Sequence, residues 1–246
     1  MRRRMFVSAG GAAMLAGCAR ISNALNDNGT IHNILGAAQP LNHLIIGTHG
    51  RAKTYRESDI DSDFRVNGFD TPSDARYRDL VQGRFGAYRL VVDGAVERKQ
   101  ALSLAELRAL QTYSEITRHD CVEGWSAIGK WSGVPLGTVL ALAKPAANAR
   151  YAIFHCFDRA PEGDPYYESL DLKEAAHPQT VLALALNDRP LDPDHGAPVR
   201  LRIPTQLGYK SAKWVYRIQV VDSFRAIHGG KGGYWEDNGY EWYAGI

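Results

Sequence analysis

Two hydrophobic periods alternate along the chain and predict most of its elements. In "PVRLRIP" (Pro198 to Pro204), Val199, Leu201 and Ile203 point one way and Arg200 and Arg202 the other, the period-two pattern of a strand. "WVYRIQVVD" repeats that alternation, with Trp214, Tyr216, Ile218 and Val220 sharing a face. "RYAIFHCF" (Arg150 to Phe157) and "TVLALALN" (Thr180 to Asn187) are nearly continuous apolar runs and read as strands buried on both faces. "YRLVVDGAVE" (Tyr88 to Glu97) predicts two short strands around an Asp93-Gly94 turn. Helical signals are shorter. "SLAELRALQ" opens with Ser103 and Glu106 at capping-box spacing, and "PLGTVLALA" starts a second helix at Pro135. Strands and short helices mix without a strand-helix-strand rhythm, so the expected class is α+β in a single domain.

The first 18 residues break the pattern. "MRRRMFVSAGGAAMLAGC" has a basic start, a short small-residue middle and a small-residue end, which describes an export signal rather than a membrane span. Arg3, Arg4 and Phe6 partly match a twin-arginine signal. "LAGC" (Leu15 to Cys18) matches a lipoprotein cleavage box, in which Cys18 carries lipid and becomes the first residue. The competing reading is an ordinary signal peptide with an incidental cysteine. Residues 19–48 read as a tether and residues 49–246 as the domain. An exported bacterial chain of this kind is expected in the periplasm, held to a membrane by lipid alone.

Composition narrows function mainly by exclusion. With 45% hydrophobic and 23% charged residues the 246-residue chain can bury a sizeable core. Its formal charge of +2 rests on 29 basic and 27 acidic residues, and three arginines lie in the first 17, leaving −1 without them. No basic stripe supports nucleic-acid binding. No P-loop, GxSxG, HExxH or CxxC is present, and the eight histidines lack metal-ligand spacing. "HGGKGG" (His228 to Gly233) lacks the strand-then-helix setting of a phosphate loop and reads as a mobile loop.

Cysteine chemistry stays open at this level. With Cys18 lipidated, Cys121 and Cys156 remain, and two cysteines in an exported protein suggest a disulfide. Cys121 also suits a small buried hydrophobe. Arg118 and His119 beside it would favour a thiolate, the form that ligates metals. One cysteine holds a metal only if a cofactor brings further donors. His195, Arg200, Lys210, Ser211 and Lys213 fall close together and form a candidate phosphate site.

Five motifs in order carry a resemblance: "CVEGWS", "WSGVPL", "YYESLDL", "NDRPLDPDHGAPVRLRIP" and "GYKSAKWVYRI". Together, from about Phe64 to the C-terminus, the chain resembles the molybdopterin-binding domain of the sulfite oxidase family. Within that family the likeness is greatest to the bacterial periplasmic reductases of protein methionine sulfoxide. The resemblance implies a mixed sulfite-oxidase-type fold and a molybdenum–molybdopterin cofactor, with Cys121 as the metal ligand. It implies that Arg200 and the Ser211-Ala212-Lys213 segment grip the pterin phosphate. His195 occupies a pterin-contact position, as in sulfite oxidases, where the reductases have asparagine. Cys156 stands where the reductases have a cofactor-contacting threonine, so it would lie near the site. "DFRVNG" imperfectly matches an element that reaches the pterin, making Arg65 and Asn67 candidates. The ending "YWEDNGYEWYAGI" resembles an aromatic segment at the active-site mouth and nominates Tyr240 and Trp242.

The expected activity is oxygen-atom transfer with an S-oxide in the reductase sense. Electrons would come from a separate membrane or periplasmic redox partner, because the sequence carries no haem or iron–sulfur motif. The dimerisation domain of sulfite oxidases has no counterpart, which leaves the oligomeric state open; a monomer is the expectation. Two alternatives stand beside this: a sulfite dehydrogenase, for which Arg65 and Arg118 would surround the anion, and a non-catalytic lipoprotein binding module.

Overall fold

The computed structural model describes residues 50–246 apart from Asp70; the export signal, lipid-attachment cysteine and tether assigned to residues 1–48 lie outside them. In chain order the elements begin with helix α1 (Ala75–Gln82), strands β1 (Arg89–Gly94) and β2 (Gln100–Ser103), and helix α2 (Leu104–Ala109). Strands β3 (Tyr113–Asp120) and β4 (Ser126–Pro135) follow, then helix α3 (Leu136–Ala143) and strands β5 (Tyr151–Arg159) and β6 (Pro165–Asp171). Helix α4 (Leu172–Ala175), strands β7 (Val181–Leu186), β8 (Arg189–Pro190), β9 (Arg200–Arg202) and β10 (Val215–Val221), and helix α5 (Tyr234–Asp237) complete the order. This is the expected α+β class.

The strands form two sheets. One runs β2-β1-β10-β5-β6; the other runs β3-β4-β7-β8, with β9 also on β7. Side chains of both build the main core: Leu90 and Val92 of β1 and Ile218 of β10 join Val134 of β4, Leu182 and Leu184 of β7 and Leu201 of β9. Leu182 and Leu184 face that core, whereas Val181 and Ala183 face a second cluster around Trp131 and Phe64. That explains the unbroken apolar run of β7, a strand covered on both faces. Each fully buried leucine or valine contributes roughly 1.5–3 kcal/mol relative to exposure.

Local signals behaved as chemistry requires where the interaction is local. Ser103 Oγ accepts from Glu106 N while Glu106 accepts from Ser103 N, closing both halves of the capping box of α2. Pro135 caps α3. The expected turn at Asp93-Gly94 needs correction, because no second strand follows at once. Gly94, at φ +89°, ends β1 against β10, where a Cβ would come within 2.2 Å of Val220 O. β1 instead pairs in parallel with β10, Val91 opposite Arg217, and only Gln100–Ser103 returns antiparallel. The alternation expected from Trp214 is also broken. A register shift between Val215 and Arg217 lets Trp214, at φ +53°, and Val215 both be buried. Among the described residues no helix is long and apolar enough to cross a membrane.

Candidate functional site

Cys121 sits in the turn that closes the β3–β4 hairpin, just beyond the last pair, Asp120 opposite Ser126. Its amide donates to Trp125 O at 2.9 Å, and Gly124 N returns a bond to Cys121 O at 3.1 Å. Gly124 takes φ +85°, which explains glycine in the Cys-Val-Glu-Gly-Trp sequence, and Trp125 Nε1 donates to Glu123 at 2.8 Å. The side chain is 8% exposed and lines a cavity of about 110 Å³. Asn67, Glu123, Asp158, Lys213 and Tyr240 share that wall, which Tyr166, Tyr209 and Trp235 complete on the aromatic side.

The expected source of thiolate character is not there. Arg118 turns outward to Asp120, 2.8 Å away, and His119 is buried and held neutral by burial and by the charges of Arg202 and Arg200. Burial pushes the Cys121 thiol up, opposed in part by Arg200. A bound metal deprotonates a coordinating thiol regardless.

Beneath Cys121 lies a cationic layer. Arg200 and Arg202 are fully buried, each stacked over Trp131 at 5.2 and 5.3 Å. The alternation of "VRLR" is real, but its polar face is as dry as its apolar one. Arg200 donates to Asn67 Oδ1 at 3.0 Å, and Arg202 donates to Arg118 O at 2.7 Å. Burial lowers their pKa values to about 10 and about 9, so both remain charged at neutral pH. Among the described residues neither forms an ion pair. Arg200 Nε, Arg202 Nε and Nη1, and both His119 ring nitrogens are buried without hydrogen-bond partners. Gly208 packs onto that histidine so closely that a Cβ would meet Nε2 at 2.5 Å. Buried cations with unanswered donors fit an anionic ligand. The donors present thus suit a phosphate-bearing group beside a soft thiol.

The remaining candidates divide. Asn67 and Lys213 line the Cys121 cavity, and Lys213 Nζ donates to Phe69 O at 2.8 Å and Asp194 O at 3.2 Å. Tyr240 lies at its rim, 38% exposed and stacked on Trp235 at 5.1 Å. Ser211 Oγ accepts from Ile203 N, and Ala212 is packed in the core beneath the same segment. His195 offers its backbone oxygen to Arg200 Nη1 at 3.4 Å, while its ring bridges Asp192 and Phe64 O, both at 2.8 Å, in the wall of a different cavity. Arg65 is exposed, its guanidinium 5.2 Å from the Trp125 ring and outside the cavity wall. Cys156 is buried in the main core on β5, and both thiols are free. Trp242 donates to Ser169 Oγ at 2.8 Å and lies outside the cavity wall. Lys210, grouped with the phosphate donors in the sequence, is instead buried between Glu168 and Glu236. Sequence reasoning missed Asp158, Tyr166 and Tyr209. The sequence signal for Asp158 is positional, two residues beyond Cys156 on the same strand.

Residues 79–226 match the family model described as the oxidoreductase molybdopterin-binding domain. The chain belongs to that family. It is therefore a molybdopterin-dependent oxidoreductase of the sulfite oxidase family. It is 39% identical over 240 residues to a putative protein-methionine-sulfoxide reductase subunit, YedZ1, of Azospira oryzae, covering 96% of this chain and 83% of that one. It is 36% identical over 149 residues to the catalytic subunit MsrP of a protein-methionine-sulfoxide reductase of Xanthomonas campestris pv. campestris. That match spans 56% of this chain and 46% of the relative. The corresponding MsrP of Campylobacter jejuni is 28% identical over 233 residues, 89% of this chain and 73% of the other. Among solved structures, the sulfane dehydrogenase SoxCD of Paracoccus pantotrophus shares the fold, with a TM-score of 0.50 and 22% identity over 56% of this chain and 39% of that one.

Proposed function

We propose that the chain is an exported reductase of S-oxides of the methionine sulfoxide type, with Cys121 as the protein ligand to molybdenum. The observation that carries this reading is the single cavity in which a buried cysteine, Lys213 and Asn67 meet a rim of Tyr209, Trp235 and Tyr240. When bound, the molybdenum–pterin group supplies two-electron, oxygen-accepting chemistry. Cys121 holds the metal through its thiolate. Arg200, Lys213 and the Ser211-Ala212 backbone hold the phosphate, and Asn67 ties Arg200 to the cavity wall. The aromatic rim exposes π faces to a thioether-like substrate and excludes water from the reacting oxygen.

Sulfite oxidation is the weaker reading. An oxyanion wants several cations at the mouth, yet Arg65 and Arg118 lie outside this wall and Lys213 already bonds two carbonyls. Two free thiols also argue against a disulfide-closed binding module. The likeness over 96% of the chain to a putative methionine-sulfoxide reductase subunit points the same way. Residues 1–18 are proposed as the signal, 19–48 as the tether and 49–246 as a monomeric domain, held in the bacterial periplasm through lipid on Cys18. A separate membrane or periplasmic redox protein supplies electrons.

Protein from a cofactor-competent host should contain stoichiometric molybdenum and reduce methionine sulfoxide with a reduced dye, in preference to N-oxides and without oxidising sulfite. Outer-shell changes at metal sites already cost about 10–100-fold. Cys121→Ser is therefore expected to lower turnover more than about 100-fold. Near-wild-type turnover in that variant refutes the ligand assignment.

A further inference from the structure

Asp158 stands near the end of β5, 3% exposed, with its side chain in the wall of the Cys121 cavity. Its Oδ1 is buried and accepts no hydrogen bond. A buried ionised carboxylate in that condition is costly, and the economical form is the neutral acid. The surroundings agree. Lys213 is the cation that acts on it; Tyr166 of β6, Tyr209 of the Gly208–Lys210 turn, and Cys121 and Glu123 of the hairpin turn share the wall. Cys156 adjoins on the same strand, and Tyr240 closes the rim. The Asn67–Phe69 segment adds no ionisable side chain. Burial pushes the Asp158 carboxyl up to about 7, against smaller opposing effects of its own backbone amide and Lys213. The group thus titrates near neutrality, where it both takes up and releases a proton, the property wanted of a general acid.

Reduction of an S-oxide consumes two electrons and two protons: the sulfur–oxygen bond breaks, two O–H bonds form, and a thioether and water leave. Electrons come from the redox partner; the protons need a route into a cavity walled by aromatic rings. We propose that Asp158 delivers one of these protons, its O–H bond breaking as the oxygen departs from sulfur, and is reprotonated from solvent before the next turnover. The proposal rests on the S-oxide reading of the site. It adds a residue that neither metal ligation nor phosphate binding calls for.

The test uses the molybdenum-loaded protein with saturating reduced dye and methionine sulfoxide across about pH 5 to 9. Wild-type kcat should fall as pH rises through about 7. Asp158→Asn, at equal molybdenum content, should lose about 100-fold in kcat with little change in KM and show no such limb. Asp158→Glu should restore part of the rate with a displaced midpoint. Infrared difference spectra provide a readout independent of turnover: a protonated-carboxyl band that titrates near neutrality and disappears in Asp158→Asn. Wild-type kcat with an unchanged limb in Asp158→Asn overturns the proposal, as does a wild-type spectrum without the band. If Asp158→Asn does not fold, a limb at an unchanged midpoint in Asp158→Glu has the same force. A loaded wild type that shows the band but reduces no S-oxide overturns the proposed function, and the delivery role with it.

Discussion

Two buried charged clusters lie within a dozen residues of each other in sequence, and they are built on opposite principles. Lys210 is enclosed between Glu168 and Glu236, all three fully buried, with Nζ 2.6 Å from Glu236. Burial opposes its charge, but the two carboxylates outweigh that and hold the ammonium above its ordinary range. Burial and then Glu236 push the Glu168 carboxyl up, and Lys210 opposes both. This cluster pairs its charges within the protein, although Glu168 Oε2 and Glu236 Oε2 keep no hydrogen-bond partner. It ties β6, the Gly208–Lys210 turn and α5, the segments that bring Tyr166, Tyr209 and Trp235 to the cavity. Arg200 and Arg202 are equally buried but face an aromatic ring and carbonyls, with donors left over. Buried charge paired within the protein supports architecture; buried charge of one sign left unpaired marks where a ligand belongs.

The largest effect that can test this contrast is Lys210→Met, which strands two buried carboxylates and should destabilise the protein by about 3–5 kcal/mol in urea unfolding. A loss below about 1 kcal/mol would mean the lysine cluster does not hold the fold together. A pH-dependent effect comes next. The folded Asp158 pKa of about 7 lies above its unfolded value. Its favourable contribution is therefore present below about pH 4 and lost as pH rises through about 7. In cofactor-free protein, Asp158→Asn should gain stability relative to wild type between those limits, by on the order of a few kcal/mol, and level off above them. A difference independent of pH would show that Asp158 stays ionised.

Arg200→Met sharpens the comparison by reversing the sign. Cofactor-free stability should change by no more than about 1–2 kcal/mol, in either direction, because an unpaired buried charge leaves and an apolar chain fills its place. Molybdopterin retained through gel filtration should meanwhile fall at least about tenfold. A stability loss like that of Lys210→Met would erase the distinction. The smallest effect belongs to the Arg217–Asp93 pair, 2.9 Å apart and partly exposed. Asp93→Asn should cost about 1 kcal/mol or less in the same unfolding assay, a baseline for ion pairs that water still reaches.

The same contrast explains what sequence could and could not reveal. Ser103 with Glu106, Pro135 before α3 and the run of β7 were legible because each depends on neighbours within a few residues or on simple period. Ordered motifs nominate Cys121 and Arg200, and the fold brings the two close enough for their charges to interact. "VRLR" disclosed which way its arginines point but not that their side is dry, since alternation describes faces and not what covers them. Lys210 and Lys213 look alike in "GYKSAK"; only Glu168 and Glu236, brought from β6 and α5, separate them. The rings of His195 and Trp242 fall outside the Cys121 cavity wall, held by Asp192, Phe64 and Ser169, partners visible only in the fold. Asp158 passed unnoticed because an aspartate at a strand end ordinarily reads as solvated.

The parallel pairing of β1 with β10 has a bearing on how the molecule is assembled. Val91 meets Arg217 across about half the chain, and among the described residues β10 lies between β1 and β5 in the sheet. Contacts of such long sequence separation close late. Arg200 and Lys213 come just before β10, so the sheet's central strand and the cavity's cationic wall are supplied together by that one closure. Cofactor loading therefore belongs after that closure, which completes the fold and its receptacle together.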